Sequence, residues 1–277
     1  MVNDVISREA DITALDTATG LTELGADSPG AVVVPQSGAI TEIRIGVGAD
    51  LTADTLLGCS TALRITGSGL KGPESWIGGP VGQFAGAAAT SATTLLTQPT
   101  TILCNIPVSP GGQLNLYGFM HGEDVGSLRM MVTLVFDGPV RGQAKYFDYR
   151  EADLAAANTP VTLNTRGGAT ENDFKVGNET IVEVHCGAGC KVVAGPLSAT
   201  TLFELTGTGL NYPGPYQFQG HTITVSDDVA ISGAANIEEL VKYHTPITTR
   251  TGEIRVQAQE VEDDVGTPFA IIMFGFA

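Results

Sequence analysis

Apolar and polar residues alternate with a period of two in several stretches of this chain. Ile43, Ile45 and Val47 are separated by Arg44 and Gly46, and further on Val184, Cys186 and Ala188 are separated by His185 and Gly187. Successive side chains of a strand point to opposite faces, so this spacing predicts strands with one face turned inward. Leu114 and Leu116 begin another such pattern, matched by Ile254 and Val256. Acidic turns follow at Glu123-Asp124-Val125-Gly126 and Asp263-Asp264-Val265-Gly266, and then the runs Met130 to Phe136 and Ala270 to Phe276. Each turn with its flanking strands is predicted to form a long hairpin. The two final runs are apolar at nearly every position, which predicts cover on both faces: the unit's own core on one side, and a neighbouring unit or subunit on the other. Helical spacing is scarce. The charged segments Arg8 to Asp11 and Arg150 to Asp153 are predicted as one or two helical turns leading into each unit, and Ile237 to Tyr243 as a brief excursion between strands.

The same features recur at a nearly constant distance. Arg8-Glu9-Ala10-Asp11 returns as Arg150-Glu151-Ala152-Asp153, a shift of 150 − 8 = 142. Ile40 to Gly48 returns at Ile181 to Gly189, and Leu63 to Leu70 (LRITGSGL) returns at Phe203 to Leu210 (FELTGTGL). Gly112 to Phe136 returns at Gly252 to Phe276, with Asp124, Val125 and Gly126 falling on Asp264, Val265 and Gly266. Four blocks in the same order make an internal duplication. The first copy runs from Met1 to about Asp137 and the second from about Tyr146 to Ala277. Between them lies Gly138-Pro139-Val140-Arg141-Gly142-Gln143, which has linker chemistry. The chain is therefore divided into units of residues 1–140 and 141–277.

The 35 glycines and 14 prolines punctuate the chain at close intervals, as short strands with many loops require. The fold class read from these patterns is all-β: two tandem, internally duplicated antiparallel β-sandwiches of the jelly-roll type, with short helical segments. An immunoglobulin-like pair is the fold alternative, although such domains need fewer residues per copy. With its duplicated blocks ending in MMVTLVF and AIIMFGF, its linker and its lack of a catalytic motif, the chain resembles the double jelly-roll coat proteins of icosahedral viruses. That resemblance implies two sandwiches side by side in each chain, and three chains making a pseudo-hexagonal capsomer.

Composition narrows the partners. Thirty acidic residues against 14 Lys and Arg give a formal charge of −16, which repels a phosphate backbone, so no direct nucleic-acid binding is expected. No apolar run reaches the roughly 18 residues of a spanning helix, and residues 1–11 hold no signal-peptide core. The chain is expected to be made in a host cytoplasm without a cleaved leader.

Candidate chemistry is sparse. His185, Cys186 and Cys190 carry zinc-ligand atoms, but strand parity makes Cys186 an inward core thiol. An extended strand also holds Cys186 roughly 13 Å from Cys190. Cys59 and Cys104 complete the cysteines, and no cysteine has a Cys counterpart in the other copy. A cupin metal site needs two His one residue apart, and His121, His185, His221 and His244 offer no such pair. The acidic turns carry calcium-type oxygen ligands at Glu123, Asp124, Asp263 and Asp264, yet Asp near Gly is ordinary turn chemistry. Gly67-Ser68-Gly69 and Gly207-Thr208-Gly209 lack the lysine of a phosphate loop and read as a bulge or strand end. Sugar binding would use Trp76, or Tyr212, Tyr216 and Phe218, in a chain only 6% aromatic.

No catalytic, cofactor-binding or metal residue is assigned, and no enzyme activity is expected. The expected function is a self-assembling coat subunit of a virion, a homotrimer within a larger shell. Minor capsid proteins and an internal membrane are its further expected partners. The alternatives are a phage tail-tube or baseplate ring component, and a ligand-binding adhesin or lectin.

Overall fold

A computed structural model describes residues 4–23, 30–35, 38–50, 56–85, 100–122, 127–154, 158–165, 173–193, 197–212, 214–225, 241–244, 246–261 and 266–277. The first half contributes β1 (Asp4–Ile12), β2 (Thr19–Gly20), β3 (Val32–Val33), β4 (Ala39–Asp50), β5 (Leu56–Thr66), β6 (Ser75–Ala85), β7 (Thr100–Pro107), β8 (Gln113–Gly122) and β9 (Ser127–Asp137). The second half contributes β10 (Tyr146–Asp153), β11 (Val161–Thr162), β12 (Asn164–Thr165), β13 (Asp173–Val176), β14 (Thr180–Val193), β15 (Leu197–Thr206), β16 (Tyr216–Val225), β17 (Val241–Tyr243), β18 (Ile247–Thr248), β19 (Gly252–Val261) and β20 (Gly266–Phe276).

These strands build four antiparallel sheets. In the first half, β1-β9-β4-β7 faces β2-β8-β5-β6, with β3 also on β8. In the second half, β12-β10-β20-β14-β17 faces β11-β19-β15-β16, with β18 on β14 and β13 on β19. Every sheet draws its strands from one half. In both halves the first long strand pairs with the last, and the chain crosses repeatedly between the two sheets while staying in one at the β5-β6 and β15-β16 hairpins, which is the arrangement of a jelly roll. The chain is thus two jelly rolls in tandem.

The duplication extends to irregularities. Register slips occur between Ile40 and Glu42 and again between Ile181 and Glu183, and between Ser60 and Ala62 and again between Thr200 and Leu202. The repeated Gly-X-Gly turns are also equivalent. Gly67 and Gly207 have φ of +120° and +131°, and a Cβ on either would lie 2.3 or 2.2 Å from the carbonyl oxygen of Gln113 or Glu253. Gly69 and Gly209 donate their N–H groups to those same two oxygens at 2.9 Å. The backbone passes so close that only glycine fits, which accounts for both turns without a ligand.

Two expectations are corrected. The hairpin predicted around residues 123–126 does not form: β8 and β9 lie in opposite sheets, as do β19 and β20. Gly118 of β8 faces β9 across the core, where an added Cβ would sit 2.9 Å from Met130 Sδ. The apolar faces of these strands gain more by meeting across the interior than by lying edge to edge. The turns at Glu123-Asp124 and Asp263-Asp264 lie outside the described residues. Nor are the charged segments helical. Arg8 to Asp11 sits inside β1, paired from Arg8↔Val132 to Asp11↔Arg129, and Arg150 to Asp153 sits inside β10. Ladder bonds along a buried final strand outweigh the local preference of such short segments. Among the described residues no helix occurs, and of the Ile237 to Tyr243 excursion the described part, Val241–Tyr243, is strand β17.

Candidate functional site

The last strand of the second jelly roll is buried on both faces. Ala270, Ile272, Phe274 and Phe276 point into that roll's own core, whereas Phe269, Ile271 and Met273 belong to the apolar cluster of the first roll. All seven are at most 1% exposed. From β10, Phe147 and Tyr149 join them on the outward side, because each pairs across the ladder with an outward position of β20 (Gly275 and Met273). The first roll answers with the outer face of β5, β6 and β8, where Ala62, Gly78 and Phe119 occupy paired positions. The Gly78 N–H meets Met273 Sδ at 3.3 Å. Trp76 and Phe119 pack beside it as tilted rings with centres 4.9 Å apart, and the Arg64 guanidinium caps Trp76 at 5.1 Å.

A polar group sits inside this joint. Glu151 of β10 is 6% exposed, and its Oε2 accepts hydrogen bonds from Ser60 Oγ of the first roll and from Tyr149 Oη, each at 3.1 Å. Its Oε1 lies 3.5 Å from His121 Nδ1 of β8. The same nitrogen is 3.0 Å from Asp16 Oδ1, and Nε2 of the ring is 3.1 Å from Asp153 Oδ1. Asp16 and His121 belong to the first half, Glu151 and Asp153 to the second. When protonated, this imidazole ties three carboxylates together across the joint. When neutral, its Nδ1 lone pair converges with Asp16 and Glu151 oxygens within 4.8 Å of one another, a donor set able to hold a divalent ion. The linker is fastened at the other end of β10: Asn105 donates its N–H to Ala144 O at 2.7 Å, and its side-chain oxygen accepts from the Val140 N–H at 3.2 Å.

At one edge of the same sheet, Glu183 and His185 of β14 are buried beside Lys242 of β17. Lys242 Nζ is 2.5 Å and His185 Nε2 3.2 Å from Glu183 Oε2. Burial opposes ionisation of Glu183, but bonds and charge from His185 and Lys242 outweigh it, so its carboxyl titrates below the ordinary range. Gly275 makes room for this side chain, since a Cβ there would sit 2.6 Å from Glu183 Cγ.

The cysteine and histidine candidates separate. Cys186 points into the core of the second roll while its neighbour His185 lies on the opposite face of β14, so the two do not share a metal. Burial pushes the Cys186 thiol well above its ordinary value. Burial also pushes Cys104, less a backbone hydrogen bond with Ile106, up to about 12. Neither supplies a thiolate near neutral pH. The side chains of Cys59, Cys190 and His221 lie outside the described residues, and His244 is exposed on the surface. Trp76 packs on Phe119 at the joint, Phe218 is buried, Tyr216 is partly buried and Tyr212 is exposed, so these aromatics form no common platform. Sequence reasoning missed the His121 cluster. Its one signal was the repeated acidic pair Glu151 and Asp153 on alternate positions of a strand.

No family model matches this chain, and no curated protein matches it. Among solved structures, a triple jelly-roll protein of an archaeal virus turret assembly is 10% identical, covering 99% of this chain and 78% of its own, with a TM-score of 0.24. A tandem of two CBM22 domains from Paenibacillus barcinonensis Xyn10C is 10% identical over 97% of this chain and 93% of its own, at 0.23. Cucumber necrosis virus is 13% identical over 97% and 89%, at 0.16.

Proposed function

We propose that this chain is a self-assembling coat subunit, the major capsid protein of an icosahedral virus, whose three copies form a ring of six jelly rolls. The observation that carries this reading is the joint itself. The outer face of one roll's first-and-last-strand sheet is buried against the opposite sheet of the roll before it, so two equivalent units already associate front to back within one chain. Contact between unlike faces of like units is the relation that builds rings. The acidic charge of −16 suits a subunit that stays soluble when concentrated and does not hold nucleic acid directly. Minor coat proteins or an internal membrane would then complete the particle. We assign the chain no catalytic residue and no cofactor.

Light scattering coupled to size exclusion, followed by negative-stain imaging, tests this reading. Trimers that condense into closed shells are the expected result. Stacked rings would move the assignment to a tail-tube or baseplate component. A stable dilute monomer with turnover or glycan affinity would overturn it.

A further inference from the structure

The duplicated halves are unequal in one respect. In the second roll, the outer face of the β10-β20-β14 sheet is covered by the first roll. In the first roll, the equivalent face of β1-β9-β4-β7 is open. Matching ladder positions make the comparison direct: Val5↔Val135 corresponds to Phe147↔Gly275, and Glu9↔Met131 to Glu151↔Ile271. Phe147 and Ile271 are buried, yet Val5 and Met131 are 59% and 47% exposed, and Leu103 of β7 beside them is 49% exposed. Val5 and Met131 thus lie on the face that is covered in the other copy, with Leu103 on the flanking strand of the same sheet.

The opposite sheets show the converse asymmetry. The first roll's outer face at Ser60, Ala62, Gly78, Phe119 and His121 is the covering surface of the joint. The ladder places Thr200, Leu202, Gln219, Gln259 and Val261 at the equivalent positions of the second roll. That face is open, with Leu202 exposed, and a shallow groove there is lined by Pro160, Leu202, Glu204, Gln217, Gln257 and Gln259. Each chain therefore contains one satisfied joint and the two unsatisfied halves of another.

We propose that the β1-β9-β4-β7 face of one chain seats the β11-β19-β15-β16 face of a second copy, reproducing between chains the front-to-back joint found within each chain. This rests on the coat reading and specifies its contact surface. The free faces are more polar than the internal joint. Gln259 stands where Phe119 does, Thr133 where Met273 does, and Arg129 where Phe269 does. A contact made and broken between folded subunits needs that polarity, because each face meets water before assembly. Because the two faces are unlike, the contact is heterologous and propagates until it closes.

The internal contacts assign pairs in trans. Gly78 with Met273 becomes Gln219 with Thr133 of the neighbour, and Ser60 with Glu151 becomes Thr200 with Glu9. Chains carrying Thr133→Cys with Gln219→Cys, or Glu9→Cys with Thr200→Cys, are treated with a short bismaleimide at assembling concentration, beside each single variant. A ladder of cross-linked oligomers from the double variants alone is expected. In parallel, Met131→Arg is expected to raise the concentration needed for assembly at least tenfold without lowering the melting temperature. Assembled particles that give no ladder with either pair, or a single variant that cross-links to itself, overturn this seat while leaving the coat reading intact. A ladder of open chains that never close keeps the seat and removes the shell. Failure to assemble or cross-link at any concentration removes both.

Discussion

Ser60 of the first jelly roll donates a hydrogen bond to Glu151 of the second at 3.1 Å, and both side chains are buried. A carboxylate placed in an apolar joint is costly unless every oxygen is engaged, and Glu151 is engaged from both halves by Ser60, Tyr149 and His121. The interaction fixes how the rolls meet, because a sliding of one sheet over the other would strand the charge.

Replacing Glu151 with Ala removes the shared acceptor of that network. A loss of about 2–4 kcal/mol is expected, the range for breaking a buried charged network. Urea unfolding followed by intrinsic fluorescence would read it, with Trp76 reporting because it packs at the joint. A change below half a kcal/mol would show that the cluster does not hold the rolls together.

Ile271 and Met131 are the same position in the two copies, buried in one and exposed in the other. Ile271→Asp is expected to destabilise by more than about 4 kcal/mol, as an unpaired charge in the joint, and Met131→Asp by less than about 0.5 kcal/mol. Thermal melts of dilute protein distinguish them. Equal effects would contradict the asymmetry between the two faces.

Gly67 and Gly207 both hold positive φ against a carbonyl oxygen. Alanine at either site adds left-handed strain and a backbone clash, and a loss of about 2–4 kcal/mol is expected for each. Gly111, with φ of +75° and open space around it, should lose less on the same change. Denaturant midpoints of the three variants test the order.

Glu183 titrates below its ordinary value in the folded chain. The sign follows: its contribution to stability is complete above the unfolded carboxylate value of about 4.3 and fades as pH falls through the lower folded value. Lys242→Met removes one of the groups that depress it. The difference in stability between parent and variant should therefore be constant near neutrality and shrink below about pH 4. A difference independent of pH down to acid unfolding would refute this role.

The Cys104 and Cys186 thiols are buried and held in the protonated form. Maleimide at pH 8 should leave both unmodified in the folded chain and label both in denaturant, as mapped by mass spectrometry. Labelling of either without unfolding would mean that its sheet opens locally.

The sequence by itself determined the period-two strands, the duplication and the strand ends at Gly67 and Gly207, because side-chain alternation and the punctuation of strands by glycine are properties of a few neighbouring residues. It also marked both final runs, Met130 to Phe136 and Ala270 to Phe276, as covered on both faces, which within the chain holds for β20 and not for β9, where Met131 is exposed. Other features were decided only by tertiary structure. Whether β9 turns back on β8 or crosses the core depends on which distant strand competes for its edge, so the expected hairpins became sandwich crossings. The charged Arg8 and Arg150 segments became strands for the same reason. The His121 cluster unites residues from both halves, and no spacing along the chain encodes that meeting. Sequence gave the two last strands nearly the same character, yet one is buried on both faces and the other is open on one. Folding can cover only one of two equivalent faces when a chain holds two units in line, and the remaining face is left for whatever the chain meets next.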